Sequence, residues 1–204
     1  MAEKFLKARH WQLFMLLCGV PLLYQILLIG SIQTASNILD SHSFFHVLFG
    51  FYPIVLIVLM ITYLGWIWAI GTGLQTQIPE ELRQNTRRFE ILLAVPAVYI
   101  TLVSLLLVLA QQDILDTNQT TPPAWVALIL PAHLIAMACI FYGMYFAART
   151  IALAEKKRAV RFADFAGEFF MIWFFPIGVW LLQPEVNRLA EGRDYTQEEK
   201  RRLY

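Results

Sequence analysis

Apolar residues gather along the chain in four long runs, at 11–31, 44–74, 89–110 and 124–148, with polar connectors at 33–43, 75–88 and 111–123. A helix of ~20 apolar residues crosses the ~30 Å hydrocarbon core of a bilayer, so each run is long enough to span it. The second run exceeds one crossing, which predicts a tilt or a projection beyond the bilayer and an end near Gly71 and Gly73. A fifth run, 169–182, has only 14 residues and contains Pro176 and Gly178. As a helix it would reach about 21 Å, too short to cross. The pattern predicts an all-α membrane protein. Residues 1–148 form a bundle of four transmembrane helices. Residues 149–204 supply a basic amphipathic helix, a short re-entrant or interfacial segment at 169–182 that bends near Pro176 and Gly178, and a polar tail.

Charge placement orients this bundle. The 16 Lys and Arg residues fall in four places. Lys4, Lys7 and Arg9 precede the first helix, and Arg83, Arg87 and Arg88 lie between the second and third. Arg149, Lys156, Lys157, Arg158 and Arg161 follow the fourth, and Arg188, Arg193, Lys200, Arg201 and Arg202 sit in the tail. The other two connectors carry Asp40, Asp113 and Asp116 and no Lys or Arg. By the positive-inside rule both termini face the cytoplasm, and the fifth run begins and ends there. Of the 204 residues, 58% are hydrophobic and 15% charged, too apolar for a soluble domain of this size. The first apolar run is too long for a signal peptide and reads as an uncleaved helix. Asn118-Gln119-Thr120 is a glycosylation sequon in an outer connector, without meaning in a bacterium.

A weak internal repeat accompanies the spans. Sliding the second helix by 78 residues onto the fourth pairs Pro53 with Pro131, Gly65 with Gly143, Ala69 with Ala147 and Thr72 with Thr150. Val20-Pro21 echoes Val95-Pro96 in the odd helices. Two parallel helical hairpins, related as a tandem repeat, would explain both offsets.

Ionisable groups at bilayer depth are functional candidates because each is costly unless paired or solvated. His133, just after Pro131, is the main one; it is either a packed structural imidazole or a pore or ligand residue, with Pro131, Pro53 and Pro96 marking the same path. His42 and His46, beside Asp40, have helical spacing for a metal pair, but interfacial histidines are usually just hydrated. Glu90 reads as a cap at the start of the third helix. Gln25, Thr62, Thr101 and Ser104 suit interhelical hydrogen bonds. Cys18 and Cys139 sit inside apolar runs and read as packing residues. No catalytic triad, metalloprotease motif or nucleotide fingerprint is present. A non-enzymatic role without metal or cofactor is therefore expected, and nucleic acid is not an expected partner.

On the cytoplasmic side, 149–168 reads as a continued basic amphipathic helix, with Lys156, Lys157, Arg158 and Arg161 placed for anionic headgroups. It leads into Gly167-Glu168-Phe169-Phe170, Trp173-Phe174-Phe175-Pro176-Ile177-Gly178-Val179-Trp180 and Gln183-Pro184-x-x-Asn187. Glu168, Trp173, Pro176, Gly178, Trp180, Gln183 and Asn187 are the candidate interaction residues. This signature, with Ile78-Pro79 and Phe89, resembles an uncharacterised family of small four-helix membrane proteins of Bacteroidota. The resemblance implies a bacterial inner-membrane location and no activity. Two functions are open. One is a membrane module that oligomerises, as an accessory subunit or pore-like effector with a cytoplasmic interaction face. The other is a small transporter or channel with a path between the two hairpins.

Overall fold

A computed structural model describes residues 2–35, 41–116 and 126–193, and the side chains among them except 31–35, 41–49, 110–116 and 126. The elements are helices, among them four that are long and apolar enough to cross a membrane: His10–Gly30, Gly50–Gln77, Thr86–Leu109 and Ala127–Lys156. The protein is an all-α membrane protein. The sequon at Asn118 and the residues from 194 onward lie outside the described residues, and the side chains of His42 and His46 lie outside the described side chains.

The first span follows a short helix, α1 (Ala2–Leu6), and is built from α2 (His10–Phe14), a π turn (Met15–Gly19) and α3 (Val20–Ala35). Pro21 has no N–H to donate one turn back, and the backbone widens just before it, with the Val20 N–H reaching Met15 O. Helix α4 (Ser41–Gly73) ends at the expected glycines and closes with a 3₁₀ turn, Leu74–Gln77. Helix α5 (Thr86–Asp116) starts a turn before Glu90, and the Arg87 N–H of its first turn donates to the Asn85 side chain at 3.0 Å. Glu90 is thus an exposed second-turn residue, not the cap.

Helix α6 (Val126–Lys156) carries the largest correction at the basic end. It was expected to pass into a headgroup-lying helix through 168, but it stops at Lys156. Thr150 through Ala154 are at most 2% exposed, so this stretch is core, not membrane surface. Lys157 adopts φ 49°, in the left-handed region that ends helices. A 3₁₀ turn follows at Phe162–Asp164. The Asp164 carboxylate accepts from the Arg161 N–H at 2.8 Å and from Arg158 at 3.1 Å, while Lys156 Nζ donates to the Asp164 carbonyl at 2.5 Å.

The fifth apolar run forms a helical hairpin, α7 (Ala166–Trp173) and α8 (Phe175–Ala190). The break lies at Phe174 (φ −86°, ψ 55°), ahead of the position expected from Pro176. Pro176 instead sits in the first turn of α8, where a missing N–H costs nothing and its fixed φ favours helix. The Phe174 carbonyl closes the turn by accepting from Ile177 and Gly178 N–H groups at 3.0 and 2.8 Å. Gly178 is where the two helices touch, since a β-carbon there would overlap the Met171 carbonyl oxygen. Tyr63 of α4 donates to Ile172 O at 3.1 Å, and Phe141 of α6 meets Trp173 edge-on at 5.3 Å. The tip therefore lies level with Phe141, eight residues or about 12 Å along α6 from Arg149. The segment turns back alongside the spans.

Burial is concentrated at this end of the bundle. Trp66, Ile67, Ile70, Phe89 and Ile151 are at most 1% exposed there, whereas residues 20–30 of the first span include no buried position. Matched positions of the sequence repeat behave alike in part. Ala69 and Ala147 are both fully buried, and Thr72 and Thr150 each donate to the carbonyl four residues back. Their glycines differ, because Gly65 faces Phe5 of α1 and Gly143 faces Leu93 of α5.

The hairpin contact predicts a selective effect. Gly178→Ala should cost about 1–3 kcal/mol, because the methyl group has backbone and not a flexible side chain to displace. Gly167→Ala, with open space around it, should leave thermal melting unchanged or slightly raised. Equal melting temperatures for both variants would contradict the close approach of α7 and α8.

Candidate functional site

Helix α8 buries one face, Gly178, Val179, Leu182, Gln183, Val186 and Leu189, at the spacing of a single helical stripe. Gln183 is the polar member of that stripe and is 0% exposed. Its Oε1 accepts from the Trp66 indole N–H of α4 at 2.7 Å. Its Nε2 faces three acceptors, Phe5 O at 2.9 Å, Ala8 O at 3.0 Å and Asn187 Oδ1 at 2.7 Å. Asn187 Nδ2 donates to Ala8 O at 3.1 Å. Phe5 and Ala8 flank the end of α1, where helical partners run out: Phe5 O accepts from the Ala8 N–H at 3.2 Å, and Ala8 O lies past the helix. The two amides of α8 thus cap α1 from outside its own sequence neighbourhood.

The remaining residues of the signature divide by exposure. Trp173 and Trp180 are 46% and 44% exposed, and Pro176 is exposed beside them. Trp180 packs at 4.6 Å from the His10 ring and 5.5 Å from Phe14, while Trp173 stacks on Phe170 at 6.0 Å. With Phe174 and Ile177 they form an apolar, ring-rich outer face, and Gly178, Gln183 and half-buried Asn187 form the inner one. The hairpin therefore offers an aromatic surface outward and spends its conspicuous polar residues inward.

Half-buried Glu168 and Glu185 lie near the α6 terminus. Burial pushes the Glu168 carboxyl up from its ordinary range. Glu185 is pushed further, to about 7, by burial first and then by the Glu155 charge, with Arg188, at 3.6 Å, pulling the other way. Glu168 and Lys156 act on it more weakly in opposite senses. The headgroup candidates are partly engaged: Lys156 and Arg158 hold the 157–164 turn, and Lys157 and Arg161 are exposed.

The membrane-depth candidates do not share one surface. Pro53 and Pro96 are buried inside α4 and α5, while Pro131 and His133 are exposed on α6. His133 Nδ1 lies 3.2 Å from the Tyr99 hydroxyl, a partner the sequence alone did not suggest. The Thr62 and Thr101 hydroxyls donate within their own helices, to Val58 O and Ala97 O at 2.8 Å each, and not across helices as expected. Gln25 is exposed, and the buried Ser104 hydroxyl has no partner among the described residues. Trp66, Tyr63, Gln75, Gln84 and Thr150 were missed as polar contributors. Gln84 Nε2 donates to Thr150 at 3.1 Å and the Gln84 N–H to Gln75 Oε1 at 3.0 Å, joining the 75–88 connector to α6. The one usable signal was the Gln183/Asn187 pair, whose i, i+4 spacing puts two amides on one helix face.

Two measurements probe this region. Gln183→Leu strands the Trp66 N–H and takes one donor each from Phe5 O, which keeps the Ala8 N–H, and Ala8 O, which keeps Asn187 Nδ2; it should lower stability by about 2 kcal/mol, against about 1 kcal/mol for Asn187→Ala. Limited proteolysis of the first should cut near Arg9; an uncut, equally stable variant would refute the capping. For Glu185 the folded pKa lies above the ordinary 4.5, so protons bind the folded state more tightly and stability falls as pH rises through that window. The melting temperature should drop by several degrees from about pH 5 to about pH 8, and Glu185→Gln should flatten the slope.

No protein-family model matches this chain, and no curated protein and no solved structure matches it.

Proposed function

We propose that this chain is a non-enzymatic integral membrane module that oligomerises, serving as an accessory subunit or pore-like effector of a bacterial inner membrane. The observation that carries the reading is the Tyr99–His133 pair on the outer face of α5 and α6. Phe89 and Phe146 stack at 4.3 Å and fix one level of the bundle. Tyr99 and His133 lie ten and thirteen residues further along their helices, about 15–20 Å toward the other side. A hydrogen-bonded imidazole facing hydrocarbon at that depth is costly, and a neighbouring helix that covers it removes the cost.

A groove of about 440 Å³ runs beside the pair, lined by Val95, Val98, Tyr99, Leu102, Ala132 and Ile135. Small and branched residues there allow the close approach that helix association in lipid requires. The basic loops favour a cytoplasmic position for α1, the 75–88 connector and the α7–α8 hairpin, whose aromatic outer face is then the contact surface for a partner or the headgroup boundary. The inner-membrane location rests on the resemblance in the signature of α7 and α8. The alternative of a transport path between the hairpins is less favoured, because Trp66, Ile67, Ile70 and Phe89 fill the interior at the basic end.

Single-molecule photobleaching in vesicles tests the reading. Several copies per spot are expected for the native chain, with a shift toward single copies in Ala132→Trp and His133→Leu. A single copy at every protein density would overturn it. Solute flux in the same vesicles separates a pore-like effector from a silent subunit.

A further inference from the structure

One face of α6 carries Tyr142, Tyr145, Phe146, Arg149 and Leu153, and it looks onto the connector that leads into α5. Between them is a cleft of about 490 Å³, completed by Glu81, Arg83, Gln84 and Asn85. Its polarity is graded along the helix. Arg149 and the connector side chains form a charged mouth, and Tyr142 lies seven residues, or about 10 Å, deeper along the span.

Arg83 lines the cleft and is held by a bond from its Nε to Ile78 O at 3.3 Å, which leaves the outer nitrogens of its guanidinium for a ligand. Among the described residues neither Arg83 nor Arg149 takes part in an ion pair. Glu81 is the opposing charge, one carboxylate against two guanidinium groups, and Arg87 and Arg88 add positive charge on the first turn of α5. The N-terminus of this 31-residue helix opens beside the cleft, where its dipole also favours an anion. The Tyr142 and Phe146 rings stand 6.3 Å apart at the deep end.

We propose that this cleft binds a phosphate-bearing amphiphile, an anionic phospholipid of the adjoining leaflet, with its phosphate between Arg83 and Arg149 and its glycerol and upper acyl carbons along Tyr142 and Phe146. Guanidinium groups suit this ligand because their planar donors pair with phosphate oxygens two at a time. A free phosphate would satisfy the mouth alone and leave the deep aromatic half unfilled. Of the loop that follows α6, Ala159 lines the cleft while the exposed cations Lys157 and Arg161 on either side of it do not, so these two serve as the control for diffuse attraction.

Native mass spectrometry of the full chain, released from detergent with added lipid, reads the site directly. Phosphatidylglycerol should be retained and should raise the melting temperature, whereas phosphatidylcholine and millimolar inorganic phosphate should not. Arg83→Gln and Arg149→Gln should each weaken phosphatidylglycerol retention about ten-fold, the size of one lost charge-assisted hydrogen bond. Lys157→Gln with Arg161→Gln should leave retention unchanged. If Arg149→Gln fails to fold, Arg83→Gln, at an exposed position, carries the comparison. Equal retention of the two lipids, equal loss in the Lys157/Arg161 control, or full stabilisation by phosphate alone would each overturn the proposal.

Discussion

A buried primary amide with four polar groups to satisfy sets the geometry of the basic end. Gln183 is sealed from solvent, and in such surroundings a stranded carboxamide costs more than its bonds return. Its partners come from three elements: the end of α1, Trp66 of α4 and Asn187 of α8. Satisfying all of them fixes where α8 lies, and α8 fixes α7 through the contact at Gly178. The Tyr63 bond to Ile172 then registers the hairpin against α4. Hydrogen-bond satisfaction at one residue thus adds direction to the hydrophobic packing of this end.

The two halves of the bundle follow different rules. Near the basic loops, side chains from every span interlock around Trp66 and Phe89, as a soluble core would. Further along, most of α3 and the outer faces of α5 and α6 present Leu, Ile and Val outward. Lipid tails are as apolar as these side chains, so burial there brings no hydrophobic gain and packing is decided by shape and by polar pairs such as Tyr99 and His133. A firm, polar-stitched end beside a half that leaves its surfaces open suits a module completed by neighbours.

The spans were legible because length and hydropathy at bilayer scale are close to obligatory. The α6 terminus was not. Arg149 looked like the edge of the membrane, yet the small residues Ala152 and Ala154 continue the helix into core and the stop comes from the φ of Lys157. The hairpin turn was misplaced because proline was read as a helix breaker, when at the first turn it is a helix starter. Gln183 and Asn187 looked like surface residues because they are polar. Their partners at Phe5 and Ala8 lie more than 170 positions away, a separation no local pattern reveals. The His133–Tyr99 contact was hidden likewise, since nothing in spacing links one helix to the azimuth of another.

The capping of α1 by α8 also bears on how the chain is made. Phe5 and Ala8 leave the ribosome 178 and 175 residues ahead of Gln183. At ~5–20 residues per second that gap lasts on the order of ten seconds to half a minute. During it α1 can already pack on Gly65 and Gly73 of α4, but the Ala8 carbonyl has no amide from α8. The cap on α1 is thus completed only after the four spans have been made, and a chain stalled before α8 leaves the Trp66 indole and the Ala8 carbonyl without their amide partners.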